Sequence, residues 1–286
     1  MVKKKQLQQR TIKKSVEFSG ITLHSGKEIN LRFQPADVDQ GVVFRRKDIE
    51  GKPEITAQPG SVVSTARCTI LGRKYKQEMI YVKTVEHLMA ACWGLKLDNL
   101  MVEVDGPEIP ICDGSAFPFW KLLKEADFVE QTALRREVLV DRLFRVEQGD
   151  QYIICLPYDG FKVSYLLDFD HPVIGTQFYE FDEIKDSFYD ELLFARTFGF
   201  LKEVEYLHKN GMALGGSLDN ALLIGSDDVI NQKRYHDEPV RHKILDLIGD
   251  MALNGFVKGH FICIRSGHKL NIELAGKIGG EKDGKT

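Results

Sequence analysis

With 286 residues, the chain has room for a substantial core and for two domains of ordinary size, which is the division expected here. A formal net charge of −3, with 28% charged and 43% hydrophobic residues, removes any electrostatic case for nucleic acid as a partner. No apolar run approaches membrane-spanning length, and the basic start MVKKKQLQQR is followed by no apolar signal core, so a cytoplasmic protein is expected. Cys68, Cys92, Cys112, Cys155 and Cys263 are odd in number and never form a C-x-x-C pair, which reads as reduced thiols and not as a disulfide frame or a cysteine zinc site.

From Thr11 to Arg46 hydrophobic residues alternate between glycine punctuation at Gly20, Gly26 and Gly41, the pattern of antiparallel strands joined by turns. His24, in LHSGK, reads locally as a surface turn residue. Short strands are expected over 61–70 and 78–82, with Cys68 either a small buried hydrophobe or a thiol near a site. TVEHLMAACWG reads as a short helix, with Thr84 as N-cap and Gly94 as its stop. Val85, Leu88, Met89 and Cys92 share one face of it, and His87 points the other way. A strand is expected over 99–104, then a Pro- and Gly-rich connection and a helix over roughly 116–126. The chain turns polar near 132–138, and strands resume over 138–146, 152–156 and 162–169. Strands followed by helices therefore occur twice, which argues for an α+β fold in two similar parts and against an alternating parallel sheet.

After ELLFARTFGF a short helix is expected over 201–208, then a GMALGGSLDN loop whose Gly211, Gly215 and Gly216 imply tight backbone, possible against a ligand. A last strand over 261–264 ends at SGHKLN, and the glycine-rich tail after Gly276 is expected to be unstructured. The most informative stretch is VRHKILDLIGD. As a helix it places Val240, Ile244, Leu247, Ile248 and Met251 on one stripe and His242, Asp246 and Asp250 on another. One turn separates His242 from Asp246, the spacing by which one helix offers nitrogen and oxygen to a single metal ion. Aspartate is a poor helix-interior residue and needs another reason to be there. Gly249 beside this face suggests close approach by another element.

With TVEHLMAA, DGPEIPICDGSA, ARTFGF, ALGGSLDNA, VRHKILDLIGD and SGHKLN in this order, the chain resembles the UDP-3-O-acyl-N-acetylglucosamine deacetylase family, zinc amidases of lipid A synthesis. The resemblance implies two α+β domains, 1–134 and 135–286, each a mainly antiparallel sheet with two helices, packed face to face with the site between them. It also implies a β-α-β insert near 197–225 that forms an apolar passage for the acyl chain. The implied ligands of Zn²⁺ are His87, His242 and Asp246. The implied catalytic residues are Glu86 as general base, His268 as general acid, Asp250 orienting His268, and Thr197 holding the developing oxyanion. Either Glu86 or His268 could return the proton to the leaving amine. For substrate, the resemblance points to Lys243, His24 and Arg265 near the diphosphate, Phe198 beside them, and Val204, Ala213, Ala221 and Leu223 along the acyl chain. The implied partner is a UDP-sugar carrying an acyl chain, handled by a monomer in transient contact with the membrane face. Two other readings stay open at this stage: a non-catalytic binder of sugar nucleotide or lipid, and a zinc amidase for another N-acetyl sugar.

Overall fold

The computed structural model describes residues 7–280. Strand Gln8–Ile12 pairs antiparallel with Phe128–Leu134, fastening the two ends of the first half together. The chain is therefore still in a strand where the composition turns polar. Between these ends lies a five-stranded sheet in the order Val16–Ile21, Glu28–Gln34, Leu100–Val104, Val42–Arg46, Glu54–Thr56. Its pairs are antiparallel except that Val42–Arg46 runs parallel to Leu100–Val104. In Glu28–Gln34 the period of two sends Ile29, Leu31 and Phe33 into the core and leaves Glu28, Asn30 and Arg32 outside. An antiparallel meander of Val62–Ser64, Ile70–Tyr75 and Glu78–Lys83 leads into helix α1, Glu86–Gly94, and helix α2 follows at Phe117–Glu125.

The second half holds a six-stranded sheet. Its order is Phe144–Gln148, Gln151–Leu156, Phe256–Ile264, Phe161–Asp168, Thr176–Asp182, with Glu137–Leu139 also paired to Phe256–Ile264. The pairs of Phe256–Ile264 with Phe161–Asp168 and with Glu137–Leu139 are parallel, and the rest are antiparallel. Helix α3, Phe188–Glu191, precedes a small unit in which Phe198–Phe200 and Leu222–Ile224 pair in parallel and helix α4, Leu201–Lys209, lies between them. Helix α5, Glu238–Met251, and helix α6, His268–Gly280, complete an α+β chain with mainly antiparallel sheets.

Helix α6 corrects the expectation of an unstructured tail from Gly276: Leu270, Leu274 and Ile278 are buried at helical spacing, so apolar burial outweighs the cost of its glycines. Residues 281–286 lie outside the described part. Helix α1 corrects two further expectations. It has no solvent face, since every residue from Glu86 to Trp93 is buried. Thr84 is not its cap either: its backbone is left-handed (φ 60°) and no side-chain hydrogen bond caps the helix. Gly94 is the last helical residue, where a Cβ would lie 2.5 Å from the Phe188 ring, so its smallness serves packing and not a turn.

The second face of α1 is covered by α5, in which every residue except Lys243 is buried. Gly249 makes this crossing possible. A Cβ there would stand 2.1 Å from the carbonyl oxygen of Glu86, so only a glycine lets the two backbones come this close. Leu88 and Met89 of α1 join Ile244 and Ile248 of α5 in one continuous core.

Candidate metal centre and active site

The crossing of α1 and α5 brings together His87 from the first half and His242 and Asp246 from the second, all buried. Asp246 Oδ1 lies 3.2 Å from His242 Nε2 and 3.7 Å from His87 Nε2. His242 Nδ1 lies 3.0 Å from the carbonyl oxygen of Ala195, which can only accept, so the ring proton sits on Nδ1 and the Nε2 lone pair faces Asp246. Burial pushes His87 down to about 3 and lowers His242 as well. Burial alone would raise Asp246, but His242 and Lys243 outweigh it and hold the carboxyl well below its usual range. Two neutral imidazole nitrogens and a carboxylate oxygen thus meet with no proton to share, and Asp246 Oδ1 is buried without a hydrogen-bond partner. Such an arrangement is costly on its own and is resolved by a cation. The donor set suits a divalent transition metal held by three protein ligands with a position left open.

Around this group a second set of buried polar residues is linked by hydrogen bonds, with only Asn271 Oδ1 among them left without a partner. Asp250 Oδ2 lies 2.8 Å from His268 Nδ1 and accepts from Asn271 Nδ2 at 2.8 Å, while Asp250 Oδ1 accepts from the Thr69 hydroxyl at 2.5 Å. Burial by itself would lower His268, but Asp250 and Asp246 overcome it and raise the imidazole to about 9. Burial drives Glu86 up to about 7, with one oxygen accepting from the Thr69 amide at 3.1 Å and the other 3.9 Å from His268 Nε2. A carboxylate and an imidazolium therefore face the same small space. Thr197 is pinned from both sides: its amide donates to Gly114 O at 2.8 Å and its carbonyl accepts from the Leu222 amide at 2.8 Å. Gly114 has φ 82° and a Cβ there would lie 2.0 Å from Asn220 O, which explains the glycine in DGPEIPICDGSA.

These groups open onto a cavity of about 520 Å³. Its walls include Thr197, Phe198, Lys243, His24, Val204, Ala213, Ala221 and Leu223. Lys243 donates to Asp246 Oδ2 at 2.8 Å and lies 6.0 Å from the centre of the Phe198 ring. His24 is no free turn residue: the backbone amides of His24 and Ser25 donate to the buried carboxylate of Glu108, and its own Nδ1 is buried without a partner. Arg265 stands apart from the other expected residues. It does not line this cavity and pairs instead with Asp150 at 2.7 Å and Asp168 at 3.6 Å. Cys68 lines the cavity, but burial pushes its thiol up to about 12, which leaves it protonated and a poor nucleophile. All five cysteines are free thiols.

Gly215 packs against protein and not against a ligand, since a Cβ there would lie 2.1 Å from Thr22 O. Thr69, Asn271 and Glu108 escaped the reading of the sequence. Asn271 sits in SGHKLN and so was within reach of a motif argument. Glu108 sits likewise in DGPEIPICDGSA, whereas Thr69 carries no local signal, because its partner Asp250 is remote in sequence.

A buried His/His/Asp group able to hold a metal ion, in an α+β fold and with Glu86 and His268 lining the same cavity, points to the class of metalloenzymes. Residues 9–279 match the UDP-3-O-acyl N-acetylglycosamine deacetylase family, and the chain belongs to it. It is 47% identical over 268 residues to the UDP-3-O-acyl-N-acetylglucosamine deacetylase of Nitratidesulfovibrio vulgaris, covering 93% of this chain and 85% of that protein. The enzyme of the same name from Haemophilus influenzae is 43% identical over 273 residues, covering 94% of this chain and 88% of that protein. That from Francisella tularensis subsp. tularensis is 40% identical over 283 residues, covering 97% and 98%.

Proposed function

We propose that the chain removes the N-acetyl group of UDP-3-O-acyl-N-acetylglucosamine by hydrolysis, releasing acetate in lipid A biosynthesis. The observation that carries this reading is the unprotonated meeting of His87, His242 and Asp246 beside Glu86 and His268, at the head of a cavity with a long apolar wall. We assign zinc to the three ligands; the same donors suit iron(II), and elemental analysis separates the two. The ion supplies Lewis acidity toward the acetamide carbonyl and toward water.

The remaining work falls to side chains. Glu86 takes a proton from the attacking water, a role suited to a carboxylate that burial has raised to about 7. His268, kept charged by Asp250, and the hydroxyl of Thr197 donate to the carbonyl oxygen as it gains negative charge. The leaving amine then needs one proton, and both Glu86, once protonated, and His268 are placed to give it. Lys243 and His24 serve the diphosphate, with Phe198 beside them. For Arg265 that role requires release from Asp150 and Asp168. Val204, Ala213, Ala221 and Leu223 line the acyl chain, whose transfer out of water is worth about 0.8 kcal/mol per CH₂.

We further propose that 1–134 and 135–286 are two domains with the site between them, and that the protein acts as a cytoplasmic monomer touching the membrane face transiently. In support, among the described residues no helix is long and apolar enough to cross a membrane. The deciding experiment is a deacetylation assay on acylated and non-acylated UDP-N-acetylglucosamine, with metal analysis of wild type, His242→Ala and Asp246→Ala. Turnover of the acylated substrate, with one metal per chain lost in both variants, is expected. Full metal occupancy in the variants would refute the ligand assignment.

A further inference from the structure

The wall of the cavity is built from both halves of the chain, and the insert meets the first half there in two different kinds of contact. In the first the insert is stitched to the first half by backbone: the amide of Gly215 donates to Leu23 O at 2.9 Å and that of Leu214 to His24 O at 3.2 Å. Gly215 and Gly26 leave no room there, since added Cβ atoms would lie 2.1 Å from Thr22 O and 3.2 Å from Leu214. In the second contact Arg67, from the loop before Cys68, reaches Glu203 of α4 with 3.3 Å between Nη1 and Oε2. Both residues line the cavity, and their side chains are 46% and 38% exposed. Helix α4 has no buried residue, so little packing holds it down. Arg67 has a left-handed backbone (φ 67°), which favours glycine.

We propose that the Arg67–Glu203 pair is an openable seam through which the acyl chain enters the cavity sideways, and which closes over the chain once the sugar head is bound. This rests on the proposed function and adds to it a route of entry and two residues that set chain-length preference. The physical reason lies in the difference between the two contacts. Backbone hydrogen bonds without space around them are durable, whereas a half-exposed ion pair is weak enough to break and reform with each turnover. A long chain tethered to a head group bound at the metal end is laid into such a slot more readily than it is threaded along its length.

The test compares wild type, Arg67→Glu, Glu203→Arg and the doubly substituted protein on a long-chain substrate and a short-chain analogue, each variant checked for metal content and melting temperature. Each single variant is expected to raise KM for the long-chain substrate about two- to five-fold, the range that an exposed ion pair can supply, with kcat and the short-chain KM unchanged. The charge-swapped double variant is expected to recover most of the loss. In the absence of substrate, amide hydrogen exchange over 201–209 should be faster in the single variants while that over 213–216 stays as in wild type. Equal losses on both substrates would make Arg67 a contact of the sugar-nucleotide head and overturn the seam, as would unchanged long-chain KM or a double variant no better than the single ones. If the wild type turned over neither substrate, the proposed function would fail, while the exchange comparison would still judge the seam.

Discussion

At the scale of single residues, the proposed roles separate groups that would touch the reaction from groups that would hold them. Glu86 and His268 face the open space beside the metal group, and Asp250 lies behind His268, fully buried and saturated by Thr69, Asn271 and the imidazole. Replacing Glu86 or His268 by alanine is therefore expected to lower kcat on the order of 10²-fold or more with the metal retained. Asp250→Asn should cost less, since it leaves the imidazole in place and removes only the charge that favours its protonated form. Steady-state rates with parallel metal analysis decide this. Near wild-type turnover in His268→Ala would remove that residue from the chemistry, and a larger loss in Asp250→Asn than in His268→Ala would contradict the supporting role.

At the scale of elements, the crossing of α1 and α5 determines whether the three ligands meet. A glycine inside a helix is worth roughly 0.5–1 kcal/mol less than alanine, so Gly249→Ala would stabilise a free helix. Here the new methyl would sit 2.1 Å from the Glu86 carbonyl oxygen, a backbone atom of another helix that cannot swing away. Overpacking of this kind costs about 1–3 kcal/mol, so the steric term wins. The variant is expected to melt at lower temperature and to hold metal more weakly, because Glu86 and His87 move with α1. Thermal denaturation and a chelator competition measure the two effects, and an unchanged melting temperature would show that the helices can part without cost.

At the scale of the whole molecule, the second half is braced by a polar cluster away from the metal. Arg241 of α5 pairs with Glu191 of α3 at 2.6 Å and with Asp237 at 2.6 Å, and its guanidinium carbon lies 3.9 Å from the centre of the Tyr179 ring. The hydrogen bonds from Tyr179 and Arg241 hold the Glu191 carboxyl below its ordinary value. A carboxylate lowered in the folded state stabilises at pH above its unfolded value, about 4.3, and loses that contribution as pH falls through the folded value. Glu191→Gln should therefore lower the melting temperature at pH 7, and the gap to wild type should shrink as pH falls below the unfolded value and through the lowered folded value of Glu191. A gap that widened on acidification would reverse the sign of this argument.

Much of the site could be read before folding because its carriers are local patterns. Helical spacing aligns His242, Asp246 and Asp250 on one stripe, alternation marks Ile29, Leu31 and Phe33, and His87 stands off the apolar stripe of α1. Periodicity reports only which residues share a face; it does not report what covers that face, and so it could not show that Glu86 to Trp93 of α1 and every residue of α5 but Lys243 are buried. Tertiary structure alone decided that Gly249 admits α1, that Thr69 and Asn271 complete the shell of Asp250, that Arg265 is tied to two aspartates, and that α6 is held on the core to Gly280. Each of these depends on partners brought together from distant parts of the chain. Their energies come from burial and from unshared lone pairs, which exist only once the chain has closed on itself.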